Sequence, residues 1–187
     1  RKESSAASDV YKRQDVNKLI DLLETLGVTT DKNGSSIIFD AANVNVSYLE
    51  STNFREQAAS IRGSVMILGP LLARFGKGKL PKPGGDKIGR RPMDTHFIGL
   101  QRLGATFSYD AKNSWYEIDA TNLRGTYMLL DEASVTGTAN ILMAAVLAKG
   151  ITTIYNAACE PYLQQLCNML NSCLLYTSDA ADDSLRV

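Results

Sequence analysis

Asp86 directly follows the pair Gly84-Gly85 and is followed by Lys87, Arg90 and Arg91. Glycines let a backbone approach a ligand closely, and arginines grip phosphate or carboxylate through two parallel hydrogen bonds. From Arg74 to Arg91 seven residues are basic and one, Asp86, is acidic, although the chain's 20 basic and 20 acidic side chains cancel overall. Such a local excess points to an anionic partner, and the loop reads as a site for a phosphorylated substrate with one carboxyl group placed among the cations. The same residues also describe a solvated basic hairpin with a turn aspartate, and the loop alone does not separate the two.

Three further groups carry potential chemistry. Asp94 and Thr95 open a helix, where either serves as an N-cap or as part of a binding pocket. His96 beside them is the only histidine, so no serine or cysteine triad has a second base to draw on. A lone histidine is more often a hydrogen-bonded structural residue than a catalyst. Ser134-Val135-Thr136-Gly137-Thr138 leads into an apolar helix, whose free amide hydrogens and positive dipole end suit a diphosphate, or simply need capping. Arg62 precedes another apolar helix and either holds an anion or pairs with an acid of its own fold. Cys159, Cys167 and Cys173 have no metal-ligand spacing, and with no secretory signal they read as reduced core thiols.

These residues sit on a sequence that repeats itself. Leu19–Gly27 reads as an amphipathic helix with a glycine stop, followed by Thr29–Asp31, an Asn33-Gly34 turn and a strand Ser36–Asp40. About 77 residues later the pattern returns: helix Phe97–Leu103 stopped by Gly104, then Thr106–Tyr109 and Trp115–Ile118 pairing around Ala111-Lys112-Asn113. Asp40-Ala41-Ala42-Asn43-Val44 is echoed by Asp119-Ala120-Thr121-Asn122-Leu123, and a third copy begins near Glu160-Pro161-Tyr162. Each unit carries a second helix that is apolar nearly all round, Ser64–Phe75 and Thr138–Leu147, suited to an interior. Pro70 is expected to kink the first. The fold expected is α/β, built of repeated units rather than a doubly wound sheet.

With 44% hydrophobic and 21% charged residues the chain has the composition of a globular protein. It contains no apolar run of about 18 residues, so no membrane span is expected, and the location expected is cytoplasmic. Residues 1–14 and 173–187 lack the periodicity of the rest and are expected to be non-native or disordered tails, leaving residues 15–172 as a partial domain of two repeats and the start of a third.

Arg62 with Ile67-Leu68-Gly69-Pro70-Leu71-Leu72-Ala73-Arg74-Phe75-Gly76, the Pro-Gly-Gly-Asp loop, Arg91-Pro92-Met93-Asp94-Thr95-His96 and Ser134-Val135 together closely resemble the UDP-N-acetylglucosamine 1-carboxyvinyltransferases, a family of enolpyruvyl transferases. The resemblance covers essentially all of residues 15–172. It implies an inside-out α/β barrel of repeated units like that of EPSP synthase, present here in part. It also implies transfer of the enolpyruvyl group of phosphoenolpyruvate to the 3′-hydroxyl of UDP-N-acetylglucosamine, the first committed step of peptidoglycan synthesis, with no cofactor and no metal. By this resemblance Asp86 takes the position of a mobile-loop proton donor that is most often cysteine. Arg62 and Arg91 hold anionic substrate groups, Pro92, Met93, Asp94 and Thr95 line the uridine pocket, and Ser134, Val135 and Thr136 approach the UDP moiety. Glu132 stands where the family often has lysine. A carboxylate in place of the loop cysteine also implies resistance to fosfomycin.

Two departures and two rivals complete the reading. A Lys-Asn pair upstream and a catalytic aspartate and further arginine downstream in the family have no counterpart here, so the chain alone is expected to be inactive without the remainder of a two-domain enzyme. The sister transferase acting on shikimate 3-phosphate shares fold and chemistry. A non-catalytic anion or nucleic-acid binding module would use residues 74–91, but Phe75 is the single aromatic there, whereas single-strand binders stack bases on several; no nucleic-acid partner is expected.

Overall fold

Strong helix formers dominate the first residues, and in the computed structural model they extend the first helix, α1, over Lys2–Thr25, well upstream of the periodic stretch that begins at Leu19. The structure describes residues 2–34, 36–82 and 93–174. After α1 come β1 (Thr29–Asn33) and β2 (Ser36–Asp40), a 3₁₀ turn Val46–Glu50, α2 (Thr52–Ser60), a second 3₁₀ turn Arg62–Ile67, α3 (Leu68–Phe75) and β3 (Lys77–Pro81). Then follow α4 (Asp94–Arg102), β4 (Thr106–Asp110), β5 (Trp115–Asp119), β6 (Tyr127–Leu129), α5 (Val135–Ala145), β7 (Thr153–Tyr155) and α6 (Pro161–Leu174). β1 and β2 pair antiparallel from Thr29 opposite Asp40 to Asn33 opposite Ser36. β3, β5 and β4 form a sheet in that order, and β6 and β7 pair in parallel.

The described residues fall into two units. The first takes residues up to 65 with 79–82 and 109–116. Its buried side chains include Leu22, Leu26, Leu49, Phe54 and Ala58. Phe54 lies parallel to Trp115 with ring centroids 6.4 Å apart, and Arg55 and Lys79 stand over the same indole at 5.5 and 5.4 Å. Lys79 also meets Glu50 at 3.5 Å. Ile37, Ile38 and Phe39 on β2 are exposed.

The second unit takes residues 66–78, 93–108 and 117–174. Its centre is α5, where Gly137 through Leu142 and Ala144 are buried, and each fully enclosed Leu or Ile contributes about 1.5–3 kcal/mol. α3 and α4 both pack on it at glycines. A Cβ on Gly69 would stand 2.5 Å from the Asn140 carbonyl oxygen, so only glycine lets α3 come so close, while one on Gly99 would press on the Ile141 side chain, which would have to shift. Val135, Leu166 and Met66 pack around Ala139, Ala158 and Leu163, which seats α6 against α5.

The internal repeat extends to individual hydrogen bonds. Val28 N–H donates to Leu23 O at 3.1 Å and Ala105 N–H to Leu100 O at 3.0 Å; Asn45 N–H donates to Leu26 O at 2.9 Å and Arg124 N–H to Leu103 O at 2.8 Å. Gly27 and Gly104 close their helices at φ +96° and +103°, each against the carbonyl of an asparagine, Asn43 and Asn122. Asp40 and Asp119 then accept the N–H of Ala42 and Thr121 at 2.8 and 3.1 Å, the same two-residue turn at corresponding places.

Three expectations are corrected. Pro70 does not kink a helix interior: the segment breaks instead into the 3₁₀ turn ending at Ile67 and α3 beginning at Leu68. Pro70 thereby lies in the first turn, where a missing N–H has no intrahelical acceptor to leave empty. The apolar helix expected from Thr138 starts three residues earlier, at Val135, because Ser134 caps it. The cysteines are free but are not core residues: Cys159 and Cys173 are exposed and Cys167 is half-buried, since α6 uses Leu163 and Leu166 for its packed face.

Candidate functional site

The starts of α4 and α5 come together in the second unit. Met93 is the N-cap of α4 and supplies no side-chain cap, so neither Asp94 nor Thr95 caps the helix. Asp94 is exposed at the first helical position, where a carboxylate is favoured by the helix dipole. Thr95 is buried and donates its hydroxyl hydrogen to Glu132 Oε1 at 3.0 Å. Ser134 is the N-cap of α5, its Oγ accepting from Gly137 N–H at 3.2 Å. A Cβ on Gly137 would lie 2.9 Å from Thr95 Cγ2 and 3.0 Å from Ser134 Oγ, so the glycine sets how closely the two helix starts approach.

Behind this rim lies a polar chain. Gly69 N–H donates to Asn140 Oδ1 at 2.6 Å, Asn140 Nδ2 lies 3.1 Å from His96 Nδ1, and His96 Nε2 lies 3.2 Å from Thr136 Oγ1. His96 and Asn140 are buried, while Thr136 is exposed. Thr138, two residues further along α5 and so on the opposite face of the helix, uses its Oγ1 to accept from Ala158 N–H at 3.1 Å and is structural.

Thus Thr95, Ser134 and Thr136 are gathered at one edge, with Met93 and Asp94 at the start of the same helix as Thr95. Val135 turns its side chain into the apolar cluster with Ala139, Ala158 and Leu163, leaving its backbone as the part that a ligand would meet. Arg62 belongs to the first unit, half-buried at the head of its 3₁₀ turn, and is engaged by other residues. Asp86, Arg91 and Pro92 lie outside the described residues. Glu132, Asn140 and Gly69 are site components that the sequence reading did not single out as ligands or supports. A lone amide inside the apolar run of α5, four residues after Thr136 and therefore on the same face, was the signal available.

A cavity of about 370 Å³ between α5, β7 and α6 in the second unit is lined by Leu142, Thr152, Ile154, Leu163 and Cys167 among others and contains none of the candidate residues. Among the described residues no group of His, Cys, Asp and Glu is arranged to hold a metal ion, and no single helix is long and apolar enough to cross a membrane. Described members of the basic segment make local contacts, Arg74 over the Phe75 ring at 5.0 Å and Lys79 over Trp115, which differs from an open stacking platform for bases.

Residues 1–175 match the family model of EPSP synthase (3-phosphoshikimate 1-carboxyvinyltransferase). The chain is 63% identical over 174 residues to the UDP-N-acetylglucosamine 1-carboxyvinyltransferase of Bacteroides fragilis, covering 92% of this chain and 40% of that protein. It is 62% identical to that of Bacteroides thetaiotaomicron and 58% to that of Porphyromonas gingivalis, with the same coverage. It therefore spans about two fifths of the length of these curated relatives. Among solved structures, the enolpyruvyl transferase NikO from Streptomyces tendae superposes with a TM-score of 0.66 at 17% identity, over 83% of this chain and 36% of that one. EPSP synthase from Acinetobacter baumannii superposes with a TM-score of 0.52 at 16% identity, over 79% of this chain and 34% of that one. Both share the α/β fold. By the match over residues 1–175, the chain belongs to the EPSP synthase (3-phosphoshikimate 1-carboxyvinyltransferase) family.

Proposed function

We propose that this chain is part of a UDP-N-acetylglucosamine 1-carboxyvinyltransferase. In that reaction the sugar 3′-oxygen bonds to C2 of phosphoenolpyruvate, the C2–O–phosphate bond breaks and inorganic phosphate leaves. A proton is placed on the methylene carbon and later removed, which regenerates the enol ether. The single observation that carries the reading is the identity of up to 63% to relatives of that name, over a stretch that includes both Arg91–Thr95 and Ser134–Thr136.

In this assignment Asp86 gives the proton to the methylene carbon, while Arg62 and Arg91 hold anionic groups of the substrates. Pro92, Met93, Asp94 and Thr95 border the uridine. Ser134, Val135 and Thr136 face the diphosphate, where the first amides of α5 and its dipole favour negative charge. The chain's repeats form part of an inside-out barrel, and the remainder of a two-domain, cytoplasmic enzyme completes the site. Peptidoglycan synthesis is the process served, and fosfomycin resistance follows from a carboxylate replacing a thiol at position 86.

The test is phosphate release by the complete protein containing this span. UDP-N-acetylglucosamine should drive release from phosphoenolpyruvate and shikimate 3-phosphate should not, and the 187-residue chain alone should be inactive. Release driven by shikimate 3-phosphate in place of the sugar nucleotide would overturn the assignment in favour of the sister enzyme.

A further inference from the structure

We infer that His96 is a positioning residue that, with Asn140, fixes the Thr136 hydroxyl as a hydrogen-bond donor toward the diphosphate of a nucleotide sugar; the inference rests on the transferase reading above.

The direction of every bond in the chain follows from its first member. A backbone N–H can only donate, so the Asn140 atom 2.6 Å from Gly69 N is the carbonyl oxygen Oδ1. The amide therefore presents its NH2 to His96 Nδ1 at 3.1 Å, and Nδ1 must accept. The ring hydrogen then resides on Nε2 and is donated to Thr136 Oγ1 at 3.2 Å. Having accepted from His96, the Thr136 hydroxyl directs its own hydrogen elsewhere, and it is exposed in the first turn of α5. A second hydrogen on the ring, at Nδ1, would confront the Asn140 NH2, so His96 supplies direction and not a proton.

Burial makes this orientation firm. Asn140 is 0% and His96 3% exposed, so neither exchanges partners with solvent at low cost. The donor is assembled from three helices, with Gly69 on α3, His96 on α4 and Asn140 and Thr136 on α5. A threonine with a freely rotating hydroxyl would lose rotor freedom on binding an anion; one already committed as an acceptor loses less.

The experiment uses the complete transferase. Thr136→Val should raise KM for UDP-N-acetylglucosamine about tenfold with kcat within about twofold, because it removes one hydrogen bond to a charged group. Thr136→Ser should restore KM to near the wild-type value. His96→Phe should raise KM to a similar degree, and the double variant His96→Phe/Thr136→Val should be no worse than either single change, since both delete the same donor. An unchanged KM in Thr136→Val, or effects that multiply in the double variant, would overturn the inference. Should His96→Phe fail to fold, the ring ¹⁵N shifts of the sole histidine in the 187-residue chain decide: the Nε2–H tautomer is expected, and Nδ1–H overturns the relay. A wild-type enzyme with no turnover on the sugar nucleotide would overturn the transferase reading instead, and the tautomer measurement would still decide the relay.

Discussion

Thr95 on α4 donates its hydroxyl hydrogen to Glu132 at 3.0 Å, and Glu132 stands two residues before the N-cap of α5. A carboxylate thus lies beside the helix start to which the proposed function brings a diphosphate, where the resemblance in sequence implies a lysine. Converting Glu132 to Lys exchanges a repulsive charge for an attractive one. At a few ångströms from solvent this is worth about one tenfold step in affinity, diminished by added salt. Glu132→Lys in the complete enzyme should therefore tighten UDP-N-acetylglucosamine binding, measured by titration calorimetry at low salt, while Glu132→Gln should give a smaller gain. Weaker binding in Glu132→Lys would show that the Thr95 contact matters more than the charge.

Gly69 and Gly99 set the spacing of α3 and α4 on α5, but what a methyl group would meet differs between them. At Gly69 it meets backbone, the Asn140 carbonyl oxygen at 2.5 Å, together with the Asn140 side-chain oxygen at 2.7 Å; at Gly99 it meets only Ile141 side-chain atoms, which can turn aside. Gly69→Ala is expected to destabilise the protein by about 3 kcal/mol and Gly99→Ala by about 1–2 kcal/mol. Thermal melts of both variants check the order, and an equal loss would mean that the Ile141 side chain is as fixed as backbone.

The hairpins, helix stops and repeat were legible because each depends on neighbours in sequence. Gly27 and Gly104 end helices, the Asp40 and Asp119 turns follow, and the second copy lands bond for bond where the first predicts. Local chemistry also explains what was misread. Pro70 is tolerated because a helix can start just before it. The relay from Gly69 to Thr136 was hidden because it joins residues 71, 44 and 40 positions apart, which only the packing of three helices brings together. The cysteines were misjudged because the usual burial of cysteine says nothing about which face of α6 is packed.

Asp110 and Asp119 hold their carboxyl groups below the usual carboxylate range, Asp110 chiefly through the Asn113 side-chain amide and Asp119 chiefly through the Thr121 backbone N–H. A carboxyl whose pKa is depressed by folding stabilises the folded state fully above its unfolded value of about 3.9, and that stabilisation is lost as pH falls through the folded value. Asp119→Asn keeps an acceptor oxygen and cannot titrate. Its melting temperature should fall less than that of the wild type on acidification from about pH 5 to pH 3. Parallel acid limbs would show that the turn carries no pH-dependent stability.

Burial pushes the Cys167 thiol up, and thiolate is the reactive form. Cys159 and Cys173 are exposed. Under native conditions an alkylating reagent at mildly alkaline pH should modify Cys159 and Cys173 first and Cys167 last, as mass spectrometry of timed samples would read. Fastest modification at Cys167 would mean that α6 separates from α5 on the time scale of labelling.

Asp86 carries the largest functional consequence of the proposed reaction and the sharpest physical tension. Lys87, Arg90 and Arg91 adjoin it in sequence and favour its carboxylate, whereas a general acid must arrive protonated. Phosphoenolpyruvate is a polyanion that offsets those cations, and exclusion of water by the bound substrates favours the neutral acid. Asp86→Asn keeps size and polarity but removes the transferable proton, so kcat in the complete enzyme should fall by at least about 100-fold with substrate binding preserved. Phosphate release at the wild-type rate in Asp86→Asn would remove Asp86 from the reaction. Fosfomycin separates the two chemistries available at this position: a carboxylate is a far weaker nucleophile than a thiolate, so the wild-type enzyme should keep its activity through prolonged incubation. Asp86→Cys should lose it progressively.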